Sequence, residues 1–311
     1  MNHILKKYCP RIEFDSYEDF YENFQIDVPE AFNFGFDVVD EWARVEPGKQ
    51  ALVWCDDHDA EHAFTFEELA RLSNRAAHGF ARLGIGKGDV VMMILRRRWE
   101  YWVCAVALCK LGATIIPASL QLTKKDIVYR AASAQVKAVV CVNDEYVCEQ
   151  MEEALPESPS IANRIIVAGQ RDGWTTFNQL IEGESDEFER PVGEAGVTSK
   201  DIMLIYFTSG TTGMAKAVCH NFAHPLGHII TAKYWQQVEE NALHMSVTDS
   251  GWAKFGWGKI YGQWIAGATV FAYDMDKFVP EKLLQKIQDH KLTTFCAPPT
   301  MYRFMLQEDV A

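Results

Sequence analysis

Apolar positions first become periodic at Thr65. Leu69, Leu72, Ala76, Phe80 and Leu83 recur at helical spacing, Thr65 and Glu68 form a capping-box pair ahead of them, and Gly84 stands where such a helix closes. From there the chain alternates short apolar runs with helical patterns. Residues 90–95 read as a buried strand, 99–111 as a helix closed by Gly112, and 113–117 as the next strand. Residues 123–134 are helical with Thr123 and Asp126 at the start, 137–142 a strand, 144–155 a helix and 164–168 a strand. Strand–helix alternation of this kind implies right-handed crossovers and a parallel sheet.

Residues 170–199 break the rhythm, and 182–194 are charged without periodicity, as expected of a surface connection. Strands are expected again at 202–208, 215–220, 243–247, 268–273 and 292–297. Helices are expected near 225–238 and 280–290, with Pro225 and Pro280 at favourable early positions. Residues 1–60 read as irregular, with short helices at the aromatic, acidic stretches 17–24 and 32–42. The fold class is therefore α/β, with two α/β units whose largely parallel sheets are flanked by helices, the first at 1–190 and the second at 191–311.

Composition narrows the partners. Asp and Glu number 43 against 30 Lys and Arg, a formal charge of -13, which argues against nucleic acid or an anionic membrane as the main partner. No apolar run reaches the roughly 18 residues of a membrane span. Residues 1–15 lack the apolar stretch of a signal peptide. The eight cysteines form no CxxC pair and several lie in apolar runs, so a reduced cytoplasm is the expected compartment.

The chemistry concentrates at residues 207–216. Thr208, Ser209, Gly210, Thr211, Thr212 and Gly213 follow an apolar strand and precede Lys216. Glycines let backbone approach a ligand, successive N–H groups converge on an anion as a nest, hydroxyls add neutral donors, and Lys216 adds a mobile charge. Each element suits a phosphate. A Walker A loop requires GxxxxGK[ST], whereas this loop reads GxxGxxK followed by Ala217. A dinucleotide fingerprint leads into a helix, whereas residues 215–219 read as a strand, so the loop is expected to join two strands.

The segment resembles the signature of the adenylate-forming enzymes: acyl-CoA synthetases, luciferases and peptide-synthetase adenylation domains. The resemblance runs from about Phe64 to the end of the chain. Ala215 stands where that family more usually has proline, which costs loop stiffness but no phosphate donor. Residues 249–254 and 256–262, rich in Trp and Gly, are similar to a segment of the medium-chain acyl-CoA synthetases. Residues 295–303, and 108–117 with 119–122, resemble further parts of the same branch. The resemblance implies that Thr208 to Gly213 and Lys216 embrace the ATP phosphates, with Lys216 and Thr212 acting in catalysis. It implies the large amino-terminal domain of such an enzyme without the small carboxyl-terminal domain and its adenylation lysine, so the isolated chain is expected to be inactive.

The implied reaction is ATP-dependent activation of a short- or medium-chain carboxylic acid to acyl-AMP and then acyl-CoA, with ATP, Mg²⁺ and coenzyme A taking part. A ligase of other specificity and a non-catalytic nucleotide-binding fragment are the rival readings. Dense aromatics near glycines can wall an acyl pocket, so Trp252, Trp257 and Tyr261, with Lys254 and Gln121, are the candidate substrate residues. Lys259 either faces an anion or points to water. His220 and His224 read HxxxH, but the segment lacks the glutamate of HExxH and Pro225 starts a helix near His224, so no metal is expected there; His228 has no assigned role. Uncovered sheet edges favour self-association into a homo-oligomer.

Overall fold

Continuous apolar runs pair as parallel strands, because a strand buried on both faces has no polar side to show. The computed structural model describes residues 2–208 and 214–308. In chain order the strands are β1 (Gln50–Asp56), β2 (Glu61–Thr65), β3 (Val90–Ile94), β4 (Thr114–Pro117), β5 (Val136–Val142) and β6 (Asn163–Val167). There follow β7 (Thr175–Thr176), β8 (Ile202–Thr208), β9 (Lys216–Asn221), β10 (Leu243–Ser246), β11 (Thr269–Asp274) and β12 (Thr294–Cys296). One sheet has the order β7-β6-β5-β3-β4-β8-β9 and the other β12-β10-β11-β1-β2. Only the β1–β2 and β8–β9 pairs are antiparallel; all other described pairs are parallel.

Alternation along the strands sorts side chains into layers. Leu52 and Trp54 of β1, Val91 and Met93 of β3, and Val270 and Ala272 of β11 face one shared core between the sheets. Met92, Ile94 and Val139 face a second core, and Val53, Phe271 and Tyr273 a third. The helix Glu100–Leu111 lies in the shared core with every residue buried, which is why its sequence shows almost no polar face. Its Trp102 Nε1 donates to the Lys259 carbonyl at 3.1 Å, tying the helix to the Trp-rich segment.

The strand–helix rhythm beyond Thr65 matches the expectation within a residue or two. Two capping boxes close as read, at Thr65–Glu68 and Thr123–Asp126. Replacing Thr65 by alanine should remove about 1 kcal/mol of stability, while Thr65→Ser keeps nearly all of it. Urea unfolding of the two variants checks this, and equal midpoints would contradict it.

Two expectations need correction. Residues 50–65 form a hairpin, β1 and β2, whose first strand lies within the stretch 1–60 that was expected to be irregular. And both sheets draw strands from either side of residue 190: β8 and β9 complete the sheet begun by β3, while β1 and β2 join β10 to β12. A boundary at 190 therefore does not separate two sheets. The stretch at 32–42 does coil, as a wide turn over Gly35–Asp40 that runs into a short helix, Glu41–Val45.

Candidate functional site

A parallel sheet gathers its strand carboxyl ends on one edge, and loops leaving that edge form the binding crevice. Here the edges of both sheets contribute to one crevice of about 700 Å³. Arg96 and Arg97 follow β3, Leu120 follows β4, and Asp144 follows β5. From the other sheet, Asp249 follows β10 and Met275 follows β11.

Two arginines, Arg96 and Arg97, line the crevice, and Arg98 follows them in the chain. Arg96, Arg97 and Arg98 leave β3 and surround Asp274 at the end of β11, with N···O distances of 3.3, 3.9 and 3.9 Å. Arg97 also donates to the Met275 carbonyl at 2.5 Å. Burial raises the Asp274 pKa, and the arginines oppose that shift by favouring its anion. The cluster bolts one sheet to the other directly beneath the crevice. Sequence reasoning passed over it, although three consecutive arginines after an apolar strand were the available signal.

The β8–β9 hairpin opens on the same edge, because β8 runs parallel to β4. Thr208 and Lys216 are register partners at its tip, and both are exposed. Tyr129 Oη donates to the Ala215 carbonyl at 2.9 Å, fastening the returning strand to the helix Lys124–Ala134. The loop therefore joins two strands, as the sequence required. Ser209, Gly210, Thr211, Thr212 and Gly213 lie outside the described residues. Among the described residues Lys216 has no ion-pair partner.

The Trp-rich segment folds as two short helices, Ala253–Lys259 and Tyr261–Ile265. Its glycines permit close approach: a Cβ on Gly251 would lie 2.4 Å from the Ser119 nitrogen, and one on Gly262 2.2 Å from the His228 carbonyl oxygen. Trp252, 66% exposed, and Lys254 line the large crevice. Trp257 instead lines a second cleft of about 280 Å³ with His228, Ile230, Thr231 and Trp235. Tyr261 is buried in the shared core, stacked behind His228 with ring centroids 6.3 Å apart, so it supports the cleft without lining it. Gln121 is exposed and lies beside the crevice; Leu120 is the residue of that loop that lines it.

Lys259 is turned away from solvent and feels the Asp249 and Asp274 carboxylates without hydrogen-bonding either. It is fully buried, its ammonium has no hydrogen-bond partner, and it lies 4.8 Å from the centre of the Phe255 ring. Burial, reinforced by Arg97, lowers its pKa to about 7. Ser246 and Ser250 hydroxyls nearby in the chain's β10 turn are buried and unpartnered as well.

The histidines divide as the helix start at Pro225 implied. His220 ends up on β9, whereas His224 starts the helix His224–Ile229, so those two share no helical face. The pair that does is His224 and His228, with Nε2 atoms 3.1 Å apart. His220 stacks against His224 at 4.2 Å between ring centroids.

Comparison with known proteins agrees with this architecture. Acyl-coenzyme A synthetase ACSM3, mitochondrial, of Pongo abelii is 32% identical over 308 residues, which span 96% of this chain and 51% of that protein. Acyl-coenzyme A synthetase ACSM4, mitochondrial, of Rattus norvegicus is 33% identical over 291 residues, 91% of this chain and 49% of that protein. The chain thus spans about half the length of the curated relatives it matches. Among solved structures, the anthranilate CoA ligase AuaEII in complex with anthranoyl-AMP shares the fold, with a TM-score of 0.80 at 19% identity over 91% of this chain and 53% of that one. Brucella canis acyl-CoA synthetase superposes with a TM-score of 0.77 at 20% identity, covering 88% and 49%. Residues 39–311 match the family described as AMP-binding enzyme, and the chain belongs to that family.

Proposed function

We propose that the protein carrying these residues activates a carboxylic acid with ATP, forming an acyl-adenylate and pyrophosphate, and then transfers the acyl group to the thiol of coenzyme A with release of AMP. The observation that carries this reading is the hairpin tip, with Thr208 and Lys216 opposite each other, on the strand edge that also lines the crevice. The relatives named above, acyl-CoA synthetases by name, support it.

The first step needs alignment more than covalent help. A carboxylate is already a nucleophile; it must meet the α-phosphorus in line while charge accumulates on the departing pyrophosphate. The hairpin's backbone N–H groups, the hydroxyls of Thr208, Ser209, Thr211 and Thr212, and the Lys216 ammonium supply that stabilisation. Magnesium enters as the counterion of the ATP substrate.

For the acid, the cleft of Trp235 and Trp257 supplies apolar walls suited to a short or medium chain. Trp257 meets Trp235 at 5.7 Å between ring centroids, so removing one indole opens the wall. Trp257→Ala should raise KM for straight-chain acids about tenfold, the scale set by a few lost apolar contacts, and leave KM for ATP unchanged. Acid-dependent pyrophosphate release across acids of increasing length provides the check; a parallel rise in both KM values would remove Trp257 from the acid site. The free thiols, six of the eight buried, support a reducing compartment, which we take to be the cytoplasm.

A further inference from the structure

His224 and His228 supply no group to the chemical step just described, although His228 lines the cleft assigned to the acid, and the spacing of their nitrogens fits a shared ion as well as a shared proton. They are one helical turn apart, and their Nε2 atoms face each other at 3.1 Å. Two imidazole nitrogens on one ion, with bonds of 2.0–2.1 Å, lie roughly 2.9–3.4 Å apart as the angle opens from square to tetrahedral. His228 Nδ1 lies 3.3 Å from Thr231 Oγ1. With its Nδ1–H donated to that hydroxyl, His228 presents a bare Nε2 lone pair to His224, the outer-shell arrangement that fixes the tautomer of a metal-ligating histidine.

We infer that His224 and His228 form a two-histidine site for a divalent transition ion such as zinc, opening onto the Trp235–Trp257 cleft. Both rings are half-buried, so the ion can reach them. No group of three His, Cys, Asp or Glu side chains able to hold a metal occurs among the described residues. The ion therefore keeps positions for water or a small anion, as an open site does. Imidazole nitrogen favours zinc, nickel and copper over magnesium and calcium. His228 also lines the cleft, so the bound ion narrows the space assigned above to the acid. That consequence rests on the proposed function, whereas metal binding does not.

Calorimetric titration of the intact protein with zinc chloride at neutral pH tests the site without reference to activity. A His3→Ala background removes a half-exposed imidazole that could compete for the ion. One ion should bind with Kd on the order of 10 µM. His224→Asn and His228→Asn should each weaken binding more than about tenfold, and Thr231→Val, which keeps both ligands, by about tenfold through the lost outer-shell hydrogen bond. His58→Asn, at an exposed position remote from the pair, should change nothing. Circular dichroism establishes that each variant is folded, and Thr231→Val carries the test alone should both histidine variants unfold. Absence of binding up to about 1 mM, or binding indifferent to all three site substitutions, overturns the site. Metal binding without loss of acid-dependent turnover would leave the site standing and separate it from the acid cleft.

Discussion

Lys216→Ala should lower acid-dependent pyrophosphate release about a hundredfold in the intact gene product, the effect of removing one charged donor from a developing anion, ~3 kcal/mol of barrier. The expectation follows from where the residue stands. Lys216 is exposed on an edge strand, opposite Thr208, and its backbone pairing with β8 does not depend on its side chain. Folding should therefore be unaffected, and thermal unfolding of the variant should superimpose on that of the wild type. The loss should fall on the adenylation half-reaction: thioester formation from preformed acyl-adenylate should keep its rate. Lys216→Arg should recover part of the activity, because charge is retained while the reach and donor geometry differ. Pyrophosphate release unchanged in Lys216→Ala would detach the hairpin from the chemistry.

Lys259→Met should make the protein more stable at neutral pH, by about 3 kcal/mol. A buried lysine can be tolerated when its protons are accepted: Lys110, equally buried, donates to Asp40, Ser73 and Asn74 at 2.6, 3.0 and 2.5 Å. Lys259 has no such acceptor. Its pKa falls from the ordinary 10.5 to about 7, a difference of about 3.5 units or, at 1.36 kcal/mol each, about 5 kcal/mol as an upper bound. The sign is fixed by proton counting. Between pH 7 and 10.5 the unfolded chain holds this proton and the folded one does not, so stability from this group rises with pH across that window. Below pH 7 both states are protonated and the penalty is constant. The advantage of the methionine variant should thus be largest at or below pH 7 and shrink by roughly 1.4 kcal/mol per pH unit above it. Urea unfolding of both proteins at two pH values isolates the difference, since every other group titrates in both. A difference independent of pH, or a less stable variant, would mean that the ammonium has a partner or a route to water.

Local signals were legible and distant ones were not. The caps at Thr65 and Thr123 and the strand–loop–strand character of residues 207–216 depend on neighbours within a few residues, and each was read directly. The hairpin of β1 and β2 was missed because its identity is non-local: β1 faces two cores, Leu52 and Trp54 in one and Val53 and Cys55 in the other, and its parallel partner β11 comes more than two hundred residues later. β2 is short and mostly exposed, an edge strand with charge at its start, and carries little apolar alternation to read. At the site, the aromatic richness of residues 252–264 was plain, but its division was not. Trp252 faces the crevice, Trp257 a different cleft and Tyr261 the core, and that partition depends on the helix break at Ile260. The HxxxH pattern drew attention to His220 and His224, whose rings do stack across the strand-to-helix change, but it passed over His228, whose Nε2 meets that of His224 one helical turn on.

The donation of β1 to the later sheet sets an order for folding. The seven-stranded sheet uses one contiguous stretch, from Val90 to Asn221, and its strands can pair as they are made. β1 cannot reach its parallel partner until β11 exists, 218 residues after Asp56, counted to Asp274. At about 5–20 residues per second, a ribosome makes that stretch in roughly 10–45 s. Meanwhile Leu52, Val53, Trp54 and Cys55 can pair with β2 alone, and the other edge of β1 stays open until β11 arrives.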